Sequence, residues 1–162
     1  MKRIAALTLL LALPFSVGCP EPPKIAQMDD MIAGLSHLKT WDPYMMGKGD
    51  LSFESVMGYG PDIYPVMIDH LTDESPTAIY DEVSGRNPRV SDAILLMLLE
   101  LTHRVWQDFS KDGLFISTAL PNPIFCIKWD HKAKVNVQRR FRYMLDNPDA
   151  TEQDMERDLK RK

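Results

Sequence analysis

Apolar positions recur at helical spacing through most of the chain. Over residues 25–38 they fall about 3.6 residues apart, which predicts a first amphipathic helix. Similar stripes predict helices over about 62–71 and 131–145. A shorter helix is expected over 52–57, with Ser52 as its N-cap. These patterns favour a compact, mainly α-helical domain over residues 25–147.

The segment that follows Ser91 and Asp92 is apolar on nearly every side. Ser91 and Asp92 suit the start of a helix, which we expect to run to about Gln107. Because a helix that is apolar all round is usually buried, this one is predicted to form the middle of the core.

Two short β-prone runs, Leu114–Ser117 and Ile124–Trp129, flank a pair of prolines. Their length and spacing predict one small β-hairpin near 114–129. The chain after residue 147 is highly charged, and Thr151-x-x-Asp154 is similar to a capping box that opens a C-terminal helix over 148–162. Only two of its residues, Met155 and Leu159, are apolar enough to bury, so we expect a frayed tail.

The first 18 residues have the pattern of a secretory signal peptide. Lys2 and Arg3 precede an apolar run over 4–15, and small residues follow it. That run is shorter than the roughly 20 residues that a helix needs to cross a bilayer. Residues 19–24 contain three prolines and are predicted to form a stiff spacer.

Ser16-Val17-Gly18-Cys19 resembles the lipobox of bacterial lipoproteins, although Leu is more usual where Ser16 stands. The resemblance implies that the sulfur of Cys19 carries a diacylglycerol, typically with palmitate chains, and that cleavage leaves Cys19 at the new N-terminus. It also implies a protein held on an envelope membrane by its lipid rather than by a transmembrane helix.

The alternative is ordinary secretion. The chain has two cysteines, Cys19 and Cys126. If Cys19 is not lipidated, a disulfide between them becomes possible, because exported chains usually pair their cysteines. If Cys19 is lipidated, the apolar neighbours of Cys126 favour a buried thiol.

Charge is unevenly distributed along the chain. Residues 19–127 contain 7 Lys or Arg against 16 Asp or Glu, whereas residues 128–162 contain 10 against 7. The acidic body argues against nucleic acid as a partner. The basic segment 128–142 is open to two interpretations: a face for anionic lipid headgroups, or a polar helix face that pairs with the acidic body.

The stretch 59–102 resembles a HEAT-like helical repeat. The resemblance lies in GPDIYPVMIDHLTD at 60–73 and in RVSDAILLMLLELT at 89–102. It implies two antiparallel helices and, by analogy, a binding role. The connection over 74–88 is longer than the short turn of that family.

No motif for catalysis or for metal or cofactor binding is present in the sequence, so we expect no enzyme and no cofactor. Asp69, His70 and Asp73 are a possible general-base cluster or simply a solvated helix end. Cys126 is a possible nucleophile, and His131 a possible acid–base group, but their surroundings favour burial of the thiol and helix capping by Asp130 instead.

The function expected from these features is that of a non-enzymatic protein-binding module of the bacterial envelope, with an envelope protein as its partner. A narrower version is an immunity or inhibitor protein that acts against a toxin or hydrolase. The alternative class is a hydrolase or metal-dependent enzyme whose site is assembled from distant residues.

Overall fold

The computed structural model describes residues 25–41, 46–80, 85, 87–116 and 123–161. Within these ranges lie six α-helices: α1 (Ile25–Ala33), α2 (Leu51–Met57), α3 (Tyr64–Asp69), α4 (Val90–Leu101), α5 (His131–Asp146) and α6 (Glu152–Leu159). Five 3₁₀ segments extend or link them: Gly34–His37, Gly60–Ile63, His70–Thr72, Trp106–Asp112 and Pro123–Phe125. Two strands complete the described fold: β1 (Phe115–Ile116) and β2 (Ile127–Lys128). The prediction of a mainly α-helical fold is confirmed.

The predicted small hairpin is also confirmed, as an antiparallel pair of β1 and β2. Phe115 lies opposite Lys128, and Ile116 lies opposite Ile127. Both isoleucines are buried, whereas Phe115 and Lys128 are exposed. This alternation follows from the two-residue period of a strand, which places one pair on the core and the next pair towards solvent.

Helix α4 is the most thoroughly buried helix of the described fold, as its sequence predicts. Ile94, Leu95 and Leu98 are fully shielded from solvent. The predicted end near Gln107 is wrong, because α4 ends at Leu101. The backbone of His103 has a φ of 52°, a left-handed conformation that cannot continue a helix.

The starts of two helices differ from the predicted caps. The cap of α2 is Asp50, whose side chain accepts a hydrogen bond of 2.9 Å from the backbone N–H of Ser52. The cap of α4 is Arg89, so Ser91 and Asp92 both lie inside the first turn. An acid at the third helical position satisfies the N–H of the capping residue, which explains the position of Asp92.

The long connection between α3 and α4 returns on itself. The backbone N–H of Thr77 donates to the carbonyl of Pro88, and that of Val90 donates to Ser75, both at 2.8 Å. These bonds bring the two ends of the connection together beside the first turn of α4. The described part of this segment therefore closes a loop where a HEAT-like repeat has a short turn.

The C-terminal helix α6 packs against α5 rather than fraying. The predicted capping box at Thr151 and Asp154 is confirmed, with reciprocal hydrogen bonds of 3.2 Å. Met155 is buried at 4% exposure. One apolar contact would hold a helix weakly, so the attachment needs the polar contacts described below.

Candidate functional site

Cys19 and the rest of the segment 1–24 lie outside the described residues, so the signal peptide, the lipid and the possible disulfide stay predictions. Cys126 lies in the turn before β2 and is 2% exposed. A thiol in that position is part of the hydrophobic core and out of reach of a substrate.

The predicted cluster at the end of α3 divides into two separate contacts. Asp69 forms an ion pair with Arg142 of α5. The ring of His70 lies between two other carboxylates, with Nε2 3.3 Å from Asp29 and Nδ1 3.6 Å from Asp73. Sequence reasoning missed Asp29, which comes from α1, 41 residues away.

Asp73 is held in its charged form by its own turn. Burial opposes ionisation of this carboxyl, but hydrogen bonds from Ser75 and the neighbouring His70 outweigh it and lower the pKa of Asp73. The backbone contact from Ser75 is 2.8 Å long. An ionised carboxylate that accepts hydrogen bonds of this kind orders the turn and is a weak proton acceptor.

The described part of the chain contains no group of three or more His, Cys, Asp or Glu side chains able to hold a metal ion. His37, His103 and His131 are each exposed on the surface.

A buried polar joint, which sequence reasoning missed, lies between the first turns of α4 and α5. Lys134 has no exposed side-chain surface. Its Nζ donates to Glu74 Oε1 at 2.5 Å and to Ser91 Oγ at 2.8 Å, and lies 5.3 Å from the centroid of the Trp129 ring. We call Glu74, Ser91, Asp92, Trp129 and Lys134 the lysine joint.

Asp92 is the third charged group of the lysine joint, beside Lys134 and Glu74. It accepts from the indole N–H of Trp129 at 2.8 Å and from the backbone N–H of Arg89 at 2.9 Å. Burial raises the pKa of Asp92, although these hydrogen bonds and the nearby Lys134 oppose the rise. The positive charge of Lys134 thus offsets those of both Glu74, its ion-pair partner, and the more deeply buried Asp92.

Ser91 and Lys134 have the chemistry of a nucleophile and its base, but not the access. Activation of a serine by an adjacent amine is one route to covalent catalysis. The hydroxyl of Ser91 is fully buried, so no substrate carbonyl reaches it. The contact therefore joins two helices instead of forming an active site.

A second buried cation explains how α6 is attached. Arg140 of α5 is 3% exposed and contacts three carboxylates: Asp112 at 2.5 Å, Glu152 at 3.0 Å and Glu156 at 2.8 Å. Burial alone would lower the pKa of Arg140, but the hydrogen bonds to Glu156 and Asp112 outweigh it and raise the pKa. We call this cluster the Arg140 hub.

These contacts alter the interpretation of the basic segment 128–142. Lys134 and Arg140 are buried, and Arg142 is paired with Asp69. They serve internal pairing, the second of the two interpretations, and cannot form one continuous basic face.

An open polar cleft of about 630 Å³ separates the C-terminal halves of α5 and α6. Its walls carry both signs of charge, with Arg139 and Arg142 facing Asp69, Asp146 and Asp158. Because the charges are mixed and at least one pair is already formed, the cleft has no clear preference for an anion or a cation.

A different depression, of about 270 Å³, lies between α3, α4 and α5. Its floor consists of Ile68, Leu98 and Phe141, each at most 2% exposed. We call it the apolar groove. Each residue comes from a different helix, so the three-helix packing itself creates the floor.

The rim of the apolar groove is formed by Tyr64, Met144 and Leu145. Leu145 is 37% exposed, and the hydroxyl of Tyr64 donates to the carbonyl of Leu101 at 3.3 Å. Residues 141, 144 and 145 share one face of α5 through the i, i+3, i+4 relation, which sets three apolar side chains along one wall. Arg104 adds one cation at the edge.

The fold and its surfaces define a mainly α-helical domain with one small antiparallel ribbon. Comparison of the chain with protein-family models, with curated proteins and with solved structures finds no match. Among the helices that the structure describes, none combines the length and apolar character needed to cross a membrane. The lipobox and HEAT-like resemblances consequently remain predictions.

Proposed function

We propose that this chain is a lipoprotein of a bacterial envelope, tethered through Cys19, whose helical domain binds a protein partner without catalysing a reaction. The apolar groove is the observation that carries the proposal. It is small, largely apolar and formed by packed helices, which are the properties of a site that receives one or two side chains of a partner.

The composition of the rim supports a protein occupant. Met144 has a flexible, polarisable side chain that adapts to varied shapes, as methionines do on peptide-binding surfaces. Tyr64 offers a flat aromatic edge and Arg104 a cation, two residue types that are enriched where proteins meet. We expect the partner to insert an aliphatic or aromatic side chain beside a polar or acidic one.

Photo-crosslinking in the producing cells tests this assignment. A photoreactive residue, p-benzoylphenylalanine, replaces Leu145 at the rim of the groove. The matched control carries it at Leu51 of α2, which is 85% exposed and lies away from the groove. We expect an adduct of one discrete mass from position 145 and none from position 51.

A second substitution checks that the adduct depends on the groove. Met144→Gln keeps the length of the side chain but places a polar group on the rim, so we expect the adduct from position 145 to be lost. Equal adducts from both positions, or an adduct that survives Met144→Gln, would contradict the proposal. Identification of the adduct also separates a toxin or hydrolase from another envelope protein.

A further inference from the structure

A second surface lies on the ribbon side of the molecule and shares no residue with the apolar groove. It consists of Val105, Trp106, Phe115, Lys128 and Lys132, and we call it the aromatic–lysine face. The 3₁₀ segment Trp106–Asp112, the two strands and the first turn of α5 supply it.

The apolar half of this face is unusually exposed. Val105 is 57% exposed and Phe115 is 50% exposed. The rings of Trp106 and Phe115 meet edge to face, with their centroids 5.8 Å apart. Edge-to-face contacts of this kind are favourable, so Trp106 supports the exposed ring of Phe115.

The cationic half adjoins the aromatic half directly. Phe115 and Lys128 are cross-strand partners, so their side chains share the outward face of the ribbon. Lys128 and Lys132 line a shallow cleft of about 450 Å³ next to Trp129. Both lysines are exposed, and neither forms an ion pair within the described residues.

The two acids of the same cleft accept hydrogen bonds from within the fold. Asp112 accepts from Arg140 at 2.5 Å in the Arg140 hub. Asp130 caps α5 and accepts from the backbone N–H of Ala133 at 2.7 Å. Lys111, also in the cleft, is partly compensated by Glu156 at 3.8 Å. Of the exposed charges in the cleft, two lysines, Lys128 and Lys132, stand beside one carboxylate, Asp130, so the local excess is positive.

We propose that the aromatic–lysine face docks onto the surface of an anionic phospholipid bilayer. The two lysines meet lipid phosphates while their aliphatic stems lie along the apolar surface. Trp106 and Phe115 enter the interfacial layer, which aromatic side chains favour. The side-by-side arrangement of aromatic rings and lysines that form no ion pair fits this interface better than a purely basic or purely apolar patch does.

Lipid quenching of tryptophan fluorescence tests the proposal on the full chain. The chain in the lipidated form proposed above is reconstituted into vesicles whose lipids carry brominated acyl chains, so this test rests on the proposed tether. The three tryptophans are Trp41, Trp106 and Trp129, so none lies in residues 1–24. Quenching therefore reports the approach of the domain rather than insertion of the N-terminal segment.

We expect stronger quenching in vesicles that contain phosphatidylglycerol than in vesicles of phosphatidylcholine alone, and a loss of the difference at high salt. Trp106→Phe should remove most of the quenching, because the residue nearest the lipid is then silent. Quenching that is unaffected by lipid charge, or by Trp106→Phe, overturns the proposal.

A charge-matched pair of variants locates the contact. Each lysine near an anionic surface changes the partition by roughly fivefold, so Lys128→Gln with Lys132→Gln should weaken docking by on the order of tenfold or more. The control, Lys39→Gln with Lys48→Gln, removes the same charge from exposed positions elsewhere. Equal effects from the two pairs would overturn the proposal and leave only non-specific attraction. The groove proposal is unaffected by either result.

Discussion

The last turn of α5 differs from the rest of the helix in what it buries and what it exposes. Before the last turn, the buried side chains of Lys134 and Arg140 form ion pairs with carboxylates from other parts of the fold. In the last turn, Met144 and Leu145 leave apolar surface beside the groove, where Leu145 is 37% exposed. The same helix thus has buried cations that are paired with carboxylates and apolar side chains that are partly exposed.

This difference separates structural residues from candidate functional ones. A buried charge with hydrogen-bonded partners is satisfied by the fold, and its removal is expected to damage stability. The apolar rim of the groove is only partly covered by the fold, and its exposed part is expected to matter when a partner covers it. Stability measurements on the two parts of α5 should therefore give contrasting results.

The largest effect is expected at the lysine joint. Lys134→Ala leaves the buried Asp92 without its nearby positive charge and opens a cavity, and should lower the free energy of unfolding by about 3–5 kcal/mol. Urea denaturation monitored by circular dichroism measures this loss. Lys132→Ala, at an exposed position two residues earlier, should change the stability by less than about 0.5 kcal/mol.

The lysine joint also predicts which substitution of Lys134 costs more stability. Lys134→Met retains most of the aliphatic packing, and Glu74 is 46% exposed, so water can replace its lost partner. We expect Lys134→Met to be less destabilising than Lys134→Ala. Similar losses for Lys134→Ala and Lys132→Ala would show that the joint contributes no net stability.

The next largest effect is expected at the Arg140 hub. Arg140→Met leaves three carboxylates without their shared cation, so we expect a loss of about 2–4 kcal/mol. The amides of α6 should then exchange with solvent faster, which hydrogen-exchange mass spectrometry detects. Arg140→Lys should not restore protection, because one ammonium cannot reproduce the forked contacts of a guanidinium.

The exposed neighbour Arg139 provides the control for the hub. Arg139→Met removes the same charge and should leave α6 protected. Loss of protection in both variants would instead point to a general electrostatic effect on α6.

Acid titration of stability should distinguish Asp92 from Asp73. The pKa of Asp92 is raised in the folded state, so its contribution to stability increases as the pH falls from neutral towards its unfolded value. The pKa of Asp73 is lowered, so its contribution is present above the unfolded value and is lost as the pH falls.

The two isosteric variants should consequently change the acid profile in opposite directions. As the pH falls, Asp92→Asn should lose more stability than the parent chain, because the gain from protonating Asp92 is gone. Asp73→Asn should lose less stability than the parent chain, because the loss from protonating Asp73 is gone. Denaturant midpoints measured from neutral pH down to mildly acidic pH give both differences. Differences of the same sign would contradict the assignment of the two pKa directions.

The smallest effect on stability is expected at the groove. Leu145→Glu alters a side chain that is 37% exposed and should lower the free energy of unfolding by about 1 kcal/mol, less than at either buried cation. The same substitution should abolish partner capture through the groove, measured with the photoreactive residue moved to Tyr64. A large loss of stability would mean that Leu145 belongs to the core.

Much of the fold could be predicted because it depends on local periodicity. The apolar stripe predicted a helix over 131–145, and α5 runs over His131–Asp146. The end of α4 was misplaced because its termination depends on the left-handed backbone of His103, for which the sequence gives no strong signal.

The polar interior could not be predicted from periodicity. Lys134 and Arg140 resemble the neighbouring Lys132 and Arg139 in sequence, yet only the first pair is buried. What distinguishes them is contact with carboxylates that are distant in the sequence, such as Glu74, 60 residues from Lys134. One available signal was their position, since both occur close to the apolar residues Ala133, Val137 and Phe141 on α5.

The proposed tether would place both surfaces, the apolar groove and the aromatic–lysine face, beside the same membrane. A lipid on Cys19 would keep the domain beside a membrane, where the aromatic–lysine face can reach lipid and the apolar groove can meet an envelope protein. The spacer predicted over 19–24, if stiff, would separate the domain from its anchor without fixing its orientation.

Intact-mass spectrometry of the native protein, extracted from its own cells, tests this tether most directly. The account predicts a chain that begins at Cys19 and carries the added mass of a diacylglyceride, with no change on mild reduction. A chain without lipid mass that gains two hydrogens on reduction would reveal a Cys19–Cys126 disulfide and would contradict the account.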